Sequence, residues 1–589
     1  MPKSKILSVL LFLFGSCLSI SLIAQSPGIV KFPANHKTKV NPDSRLSLTF
    51  QSAPLLHNTG EIRIYDASND ELVDKLDLSI PPGPRNTRTP SPYDSFVYAS
   101  VPDKVYTVSD PDTNATHEYQ LNYIYSNSEV DSYHFYPVLI NGHTATIHLH
   151  NNKLRYNKTY YVQIDPGVFT VDGAPFNGFK GKKAWRFSTK KSPPQISSPW
   201  LIVSADGTGD FNTVQGALDF IPDKNMDRKT IFVKNGWYEE IVYFRNKENI
   251  TLLGEDREET IICYANNGVF NNRPISPDPK LPQKYHNRRA VMAMNHARGI
   301  QLLNFTLRSL GEKPAQAEAL LVEGDEIVVS HVNIEGSGDA LQASGKIYIE
   351  DSKIQGFGDN VLGYGAVYFQ HCDFVSTYGP HMWIRNPKEN HGNVCVNCTF
   401  RTIGDVETTI ARTNDNKGAG FPYCEAVLLN CSMEGIKPEG WSVKGKGITN
   451  IHYWEYNSRN LEDGTAVDVS ERDPISRQLS MEHDSVLIHN YLNPAFVLDG
   501  WEPDVLPFIL KQPSPVSAPK GEQVRFAVAF SSEDVRYQWF RNGKPLAGEN
   551  SSELILDKVK KRNAGTYVVQ VQGEFGFVVS DKVVLKIKR

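Results

Sequence analysis

Three things are scarce in this sequence: net charge, cysteine and long apolar runs. The 62 Lys and Arg nearly balance the 66 Asp and Glu, leaving a formal charge of −4 over 589 residues. That gives no basic surface for nucleic acid or for an anionic membrane. The one sustained apolar run, Ile6 to Phe14, is too short to be a persuasive membrane span, so no transmembrane segment is expected in the mature chain. Of 7 cysteines, Cys17 lies near the start and six fall between Cys263 and Cys431. Cys395-Val396-Asn397-Cys398 is a lone CxxC, and no His/Cys cluster has zinc spacing. Neither a metal nor another cofactor is expected.

What is present points outward from the cell. Lys3 and Lys5 precede the apolar run, small residues follow, and Ala24 suits a cleavage site. Residues 1–24 read as an export signal, which expects a periplasmic or surface protein of a bacterium. Phe14-Gly15-Ser16-Cys17 resembles a lipoprotein box weakly, because Phe is poor at its first position. A lipid anchor at Cys17 is the minor alternative.

A chain of this length exceeds one hydrophobic core. Residues 25–195 carry alternating runs such as Arg45 to Phe50, Glu61 to Tyr65, Thr144 to Leu149 and Tyr160 to Ile164, ending in Ala184 to Thr189. Turn-rich segments separate them, as in a β-sandwich. A polar, Pro-rich linker, Lys190 to Pro199, follows. Residues 506–589 give a second sandwich, with Trp539 central in a strand and Tyr567 at the tyrosine-corner position. Val569 stands where an immunoglobulin cysteine would be. Both flanking regions resemble Ig-like modules, expected to act as spacers or supports, with glycan binding the sharper alternative.

Residues 196–505 differ. A short helix is expected over Thr213 to Phe220, with Asn212 as candidate N-cap. A four-residue motif then recurs from Asn304, His331, Asp351, His371, Asn397 and Asn430, at steps of 27, 20, 20, 26 and 33 residues. This period signals a solenoid of stacked coils. Position two reads Phe, Val, Ser, Cys, Cys, Cys, and position four Leu, Ile, Ile, Phe, Phe, Met. Alternate strand residues point the same way, so both positions face inward. Cys372, Cys398 and Cys431 are thus expected to fill the core as thiols.

Two consecutive coils end in Gly-x-Gly-Asp, at Gly336 to Asp339 and Gly356 to Asp359. One coil apart, these aspartates would stack about 4.8 Å from each other. A close carboxylate pair splits its proton affinities, giving one acid and one nucleophile. The same motif also makes a tight turn with Asp capping backbone amides, and the repeat alone does not choose between these readings.

The ordered set of motifs in this region resembles the pectin methylesterase family. It runs from Ala205-Asp206-Gly207-Thr208-Gly209-Asp210-Phe211 through Val233 to Glu240, Ile250 to Glu255, and Gln316-Ala317-Glu318-Ala319-Leu320. It continues with Gly338 to Leu341, Gly358 to Gly363, Ile410 to Asn414, Ile436 to Trp441 and Tyr453 to Asn457. The resemblance implies an all-β chain: a right-handed parallel β-helix flanked by two Ig-like sandwiches. It also implies a carbohydrate esterase that hydrolyses methyl esters of galacturonate in pectin. Asp359 would be nucleophile, Arg412 its charge partner, Asp339 acid/base and Gln316 an oxyanion donor. Trp441 would line a sugar subsite, with a place in the core as the alternative. The family's second oxyanion glutamine is Gly338 here, with Gln342 or a backbone amide as substitute, and its Trp after Pro is Asn414. Together with the Pro-rich segment Asn271 to Arg289, these departures suggest a cleft for branched, rhamnogalacturonan-type pectin. The competing readings are a glycoside hydrolase or lyase on the same fold, and a non-catalytic glycan binder. The expected partner is a pectic polysaccharide or oligosaccharide, not nucleic acid, and a monomer is expected.

Overall fold

The first position of the recurring motif shapes the coil. Asn304, His331, Asp351, His371, Asn397 and Asn430 all have positive φ, between 45° and 61°. Asn and Asp tolerate this left-handed region better than most residues. Each turns the chain from one β-face to the next, and Asn457 (φ 55°) extends the series. The computed structural model describes residues 28–588 except 85–90, 96–118, 126–129, 272–287, 313–315, 414–420, 444–449, 532–534 and 574–575. The leader with Cys17, most of the Asn271 to Arg289 segment, and Asn414 lie outside the described residues.

The coils form three parallel sheets, so the centre is a parallel β-helix. Sheet A has 11 strands from Trp200–Val203 to Ser476–Gln478, sheet B 9 from Gly236–Glu239 to Arg459–Asn460, and sheet C 8 from Val242–Arg245 to Trp441–Val443. From Lys229–Val233 to Trp441–Val443 each rung passes A to B to C, and pairing runs between successive coils, as in Leu320↔Leu341↔Val361↔Met382↔Ala411 on sheet C.

Inward positions form ladders. Phe305, Val332, Ser352, Cys372, Cys398 and Cys431 are all buried, as are Leu307, Ile334, Ile354, Phe374, Phe400 and Met433. Phe374 stacks on Phe400 with centroids 4.6 Å apart. The six cysteines from Cys263 to Cys431 are free and buried, and the thiols of Cys372 and Cys398 donate to carbonyls of their own stack.

The first coil is closed by the helix Val214–Phe220, whose Val214, Ala217 and Leu218 are buried. Thr213, not Asn212, is its N-cap, accepting from the Gly216 amide at 3.0 Å. The reason is an added acceptor from the N-terminal sandwich. Asp43 takes the amides of Asn212 and Thr213 at 2.8 Å each, and the Asn212 side chain turns instead to Asn41. That sandwich packs strands Val30–Phe32, Leu46–Thr49, Thr144–Ile147 and Val138–Asn141 over a second sheet centred on Thr159–Ile164. Its core, including Leu46, Ile62 and Trp185, is continuous with Leu201, Val214 and Ile231 of the β-helix. It covers the otherwise open edge of the stack.

At the far end, helices Met481–Tyr491 and Pro494–Val497 lie on sheet A, with Ile488, Tyr491 and Val497 against Tyr368, Val394 and Val427. The last sandwich has its own core around Trp539, Tyr567 and Val569. The Tyr567 hydroxyl donates to the Asn563 carbonyl at 2.6 Å, the corner bond expected there. Val569 fills the cysteine position as an apolar core residue. Among the described residues no helix is long and apolar enough to cross a membrane.

Candidate active site

The site sits where sheet B turns into sheet C. In the second Gly-x-Gly-Asp motif the glycines let neighbouring turns touch. A Cβ on Gly356 would lie 2.4 Å from the Gly338 carbonyl oxygen, and one on Gly358 2.6 Å from the Gly379 Cα. Asp359 itself has φ 49° and donates its amide to the Pro380 carbonyl. Strands Leu341–Ser344 and Val361–Gly363 follow in register, which sets Asp339 and Asp359 at equivalent points of successive coils.

Neither carboxyl caps a backbone amide among the described residues, so the tight turn does not use them. Asp359 is held by Arg412 of strand Ala411–Thr413, two coils on, through Nε–Oδ1 at 2.6 Å and a terminal nitrogen to Oδ2 at 2.5 Å. This planar bidentate pair is the strong form of charge-assisted hydrogen bond. Asp339 has no such partner. Burial pushes its carboxyl well above the ordinary range, and the negative charges of Glu318 and Asp359 push it further. The two aspartates therefore differ in environment: one is ion-paired, the other favours its protonated form.

A third element was not singled out from the sequence. Arg289 forms a bidentate pair with the wholly buried Glu318, with Nε to Oε2 at 2.6 Å and a terminal nitrogen to Oε1 at 2.5 Å. The same guanidinium donates to Oε1 of Gln316 at 3.3 Å and to Oε1 of Gln342 at 3.1 Å. Guanidinium is donor-only, so the amide oxygens face Arg289 and the two NH2 groups face away. No described residue accepts from either NH2. Gln316 and Gln342 are thus paired as donors by one cation. Glu318 could have been noticed as a charge flanked by Ala317 and Ala319 and pointing the same way as Gln316. Arg289 follows a long irregular segment and carried no signal.

Gln342, Leu362, Trp383 and Arg412 stand in register across sheet C. The Arg412 guanidinium lies 4.1 Å from the Trp383 ring centroid and that of Arg385 4.4 Å. Trp383 and Arg385 also escaped the sequence reading, although the alternation Met382-Trp383-Ile384-Arg385 places both on one face. Trp441 takes the core place and not the subsite place expected of it. It is 1% exposed, stacks on Tyr453 at 4.6 Å and donates Nε1 to Glu455, so it is a core residue and not a subsite wall. Among the described residues no group of three His, Cys, Asp or Glu is placed to hold a metal ion.

Comparison with known proteins bears on the same segment. Residues 200–474 match the Pectinesterase family model, and residues 507–587 match the Immunoglobulin I-set domain. Probable pectinesterase 30 of Arabidopsis thaliana is 28% identical over 298 residues, covering 47% of this chain and 56% of the relative. Pectinesterase QRT1 of the same plant is 28% identical over 316 residues, covering 51% of this chain and 78% of the relative. The chain spans about half the length of several curated relatives it matches, as with probable pectinesterase/pectinesterase inhibitor 42, where the share is 49%. Among solved structures, the pectin methylesterase from carrot aligns with TM-score 0.43 at 22% identity, over 52% of this chain and 95% of that one. Pectin methylesterase PemA from Erwinia chrysanthemi aligns with TM-score 0.40 at 20% identity, over 52% and 98%.

Proposed function

We propose that the protein hydrolyses methyl esters of galacturonate residues in pectin. The observation that carries this reading is the unequal aspartate pair, with Asp359 ion-paired to Arg412 and Asp339 pushed towards its acid form, beside two free amide NH2 groups.

In this reading an Asp359 oxygen attacks the ester carbonyl carbon. The oxyanion that develops accepts from the NH2 groups of Gln316 and Gln342, which are already oriented before the charge appears. Asp339 gives its proton to the departing methoxide oxygen, and methanol leaves. The acyl group is then an anhydride on Asp359. Asp339, now a carboxylate, takes a proton from water as that water attacks the substrate carbonyl. Cleavage of the anhydride returns Asp359 as carboxylate, Asp339 as acid and the sugar carboxyl as its acid, which gives up its proton to water to leave galacturonate. Gln342 supplies the donor lost at Gly338, so the departure from the family's second glutamine leaves the oxyanion with two amide donors.

The relatives named pectinesterase support this chemistry over bond cleavage in the polysaccharide backbone. A pair of amide donors suits an acyl oxyanion, whereas glycoside hydrolysis passes through a cationic sugar. Action on extracellular pectin fits the export expected of residues 1–24. Methyl-esterified pectin incubated with the protein should release methanol with unchanged chain length. New reducing ends would indicate a hydrolase and unsaturated ends a lyase, and either without methanol would refute the proposal.

A further inference from the structure

Away from the aspartates, one buried carboxylate gathers three donors that the ester chemistry does not use. Glu425 opens strand Glu425–Leu429 of sheet A and is 5% exposed. His391 Nδ1 lies 2.7 Å from its Oε1, and His452 Nδ1 3.0 Å from its Oε2. The Tyr491 hydroxyl, at the end of helix Met481–Tyr491, donates to the same Oε2 at 2.8 Å. Burial alone would raise the Glu425 carboxyl, but these bonds, that of His391 foremost, hold it at about 2. An ionised carboxylate only accepts, so each Nδ1 carries a proton and donates it. In the neutral rings each Nε2 is then a lone pair on the far side, and no described residue pairs with either.

Both rings border a cavity of about 730 Å³ at the corner where sheet C passes into sheet A. Tyr364 and Phe496 line it too and are 46% and 39% exposed. Tyr364 follows Asp359 by five residues, a span of roughly 15 Å at the rise of a strand. The cavity is thus separate from the aspartate pair yet within reach of the same polymer. Its charges decide what it suits. Lys346 and Lys388 line it together with Glu389, Asp499 and Glu425, and Lys346 already lies 3.8 Å from Asp325. Two cations against three carboxylates leave no positive excess for an acidic sugar. Exposed rings beside fixed polar atoms suit an uncharged one, whose C–H face lies on a ring while its hydroxyls donate to the imidazoles.

We propose that this cavity, bordered by His391, His452, Tyr364 and Phe496, is a second carbohydrate site that binds uncharged sugar units carried as a side chain on the pectin whose ester is cleaved. The link to cleavage rests on the esterase reading, whereas the binding itself does not. The site anchors the polymer and takes no part in bond making.

Calorimetry on the full chain with neutral galacto-oligosaccharides and arabino-oligosaccharides tests the site without turnover. At least one of the two should bind, and His452→Phe should weaken that binding about tenfold, the scale of one hydrogen bond. A phenyl ring keeps the stack on Trp454, now 4.2 Å between centroids, and removes Nε2. Tyr364→Ala should weaken binding by a similar factor through the opposite wall, with melting temperature retained. Binding of neither sugar, or equal affinity in the wild type and both variants, would overturn the proposal. Unesterified oligogalacturonate should bind all three proteins alike, and a loss confined to it would overturn the assignment to uncharged sugar. In methanol release, His452→Phe should raise KM about tenfold for pectin carrying neutral side chains and leave kcat and the constants for debranched pectin unchanged. An equal KM for both pectins in wild type and variant would overturn the anchoring role. Absence of methanol from every pectin would sink the esterase reading instead, with calorimetry still deciding the sugar site.

Discussion

Arg289 joins stability to catalysis, and the two can be separated. Replacing it with Met removes the bidentate contact to Glu318 and the bonds to Gln316 and Gln342, at 3.3 and 3.1 Å. Glu318 has 0% side-chain exposure, so its charge is then stranded. Removing one partner of a buried ion pair costs about 3–5 kcal/mol. The two amides also lose the bond that orients them. One oxyanion donor is worth about 10²–10³ in rate, so kcat should fall by at least about 10². The decisive variant is the double replacement Arg289→Met with Glu318→Leu. An apolar pair of similar volume commonly matches or exceeds a buried ion pair in stability. Thermal unfolding should therefore return towards the wild-type midpoint, while methanol release stays down by about 10² because no guanidinium holds the amides. If activity returned together with stability, Arg289 would be only a structural cation and the paired-donor account would be wrong.

Other outcomes follow from the same geometry. Asp339→Asn should stabilise the fold at neutral and alkaline pH. Its folded carboxyl titrates above the unfolded one, so the wild type holds an extra proton in that window and loses stability as pH rises through it. Below about pH 4 the difference should vanish, as urea titrations at several pH values would show. Arg412→Lys should cut kcat sharply with little change in melting, because Lys cannot keep both contacts to Asp359. Phe374→Ala should cost about 3–5 kcal/mol, since it empties a rung stacked on Phe400. Reductant should leave the melting temperature of the β-helix unchanged, because its six described cysteines are free thiols.

The ladders were legible because a solenoid repeats its pattern. Cys372, Cys398 and Cys431 could be set inside by their spacing alone, whereas the left-handed turn at position one of each motif emerged only from the structure. The aspartate pair was legible for the same reason, since a 20-residue step is one coil. Arg412 was legible only through family resemblance. What stayed hidden depends on contacts between distant coils. The cap at Thr213 is set by Asp43, 170 residues earlier. Arg289 reaches Gln342 across 53 residues. Trp441 and Trp383 are equally large residues on one sheet, but Trp441 falls in register with the buried Ala411 and Met382, and Trp383 with Arg412 on the outer face, a register set only by the stacking of coils.

The most direct test of the account is methanol release by Asp359→Asn. The amide keeps the shape of the side chain but is a poor nucleophile and cannot pair as an anion with Arg412. The account predicts a loss of about 10⁴-fold or more in kcat for a cooperatively folded variant. Methanol release by that variant at a rate near the wild type would contradict it.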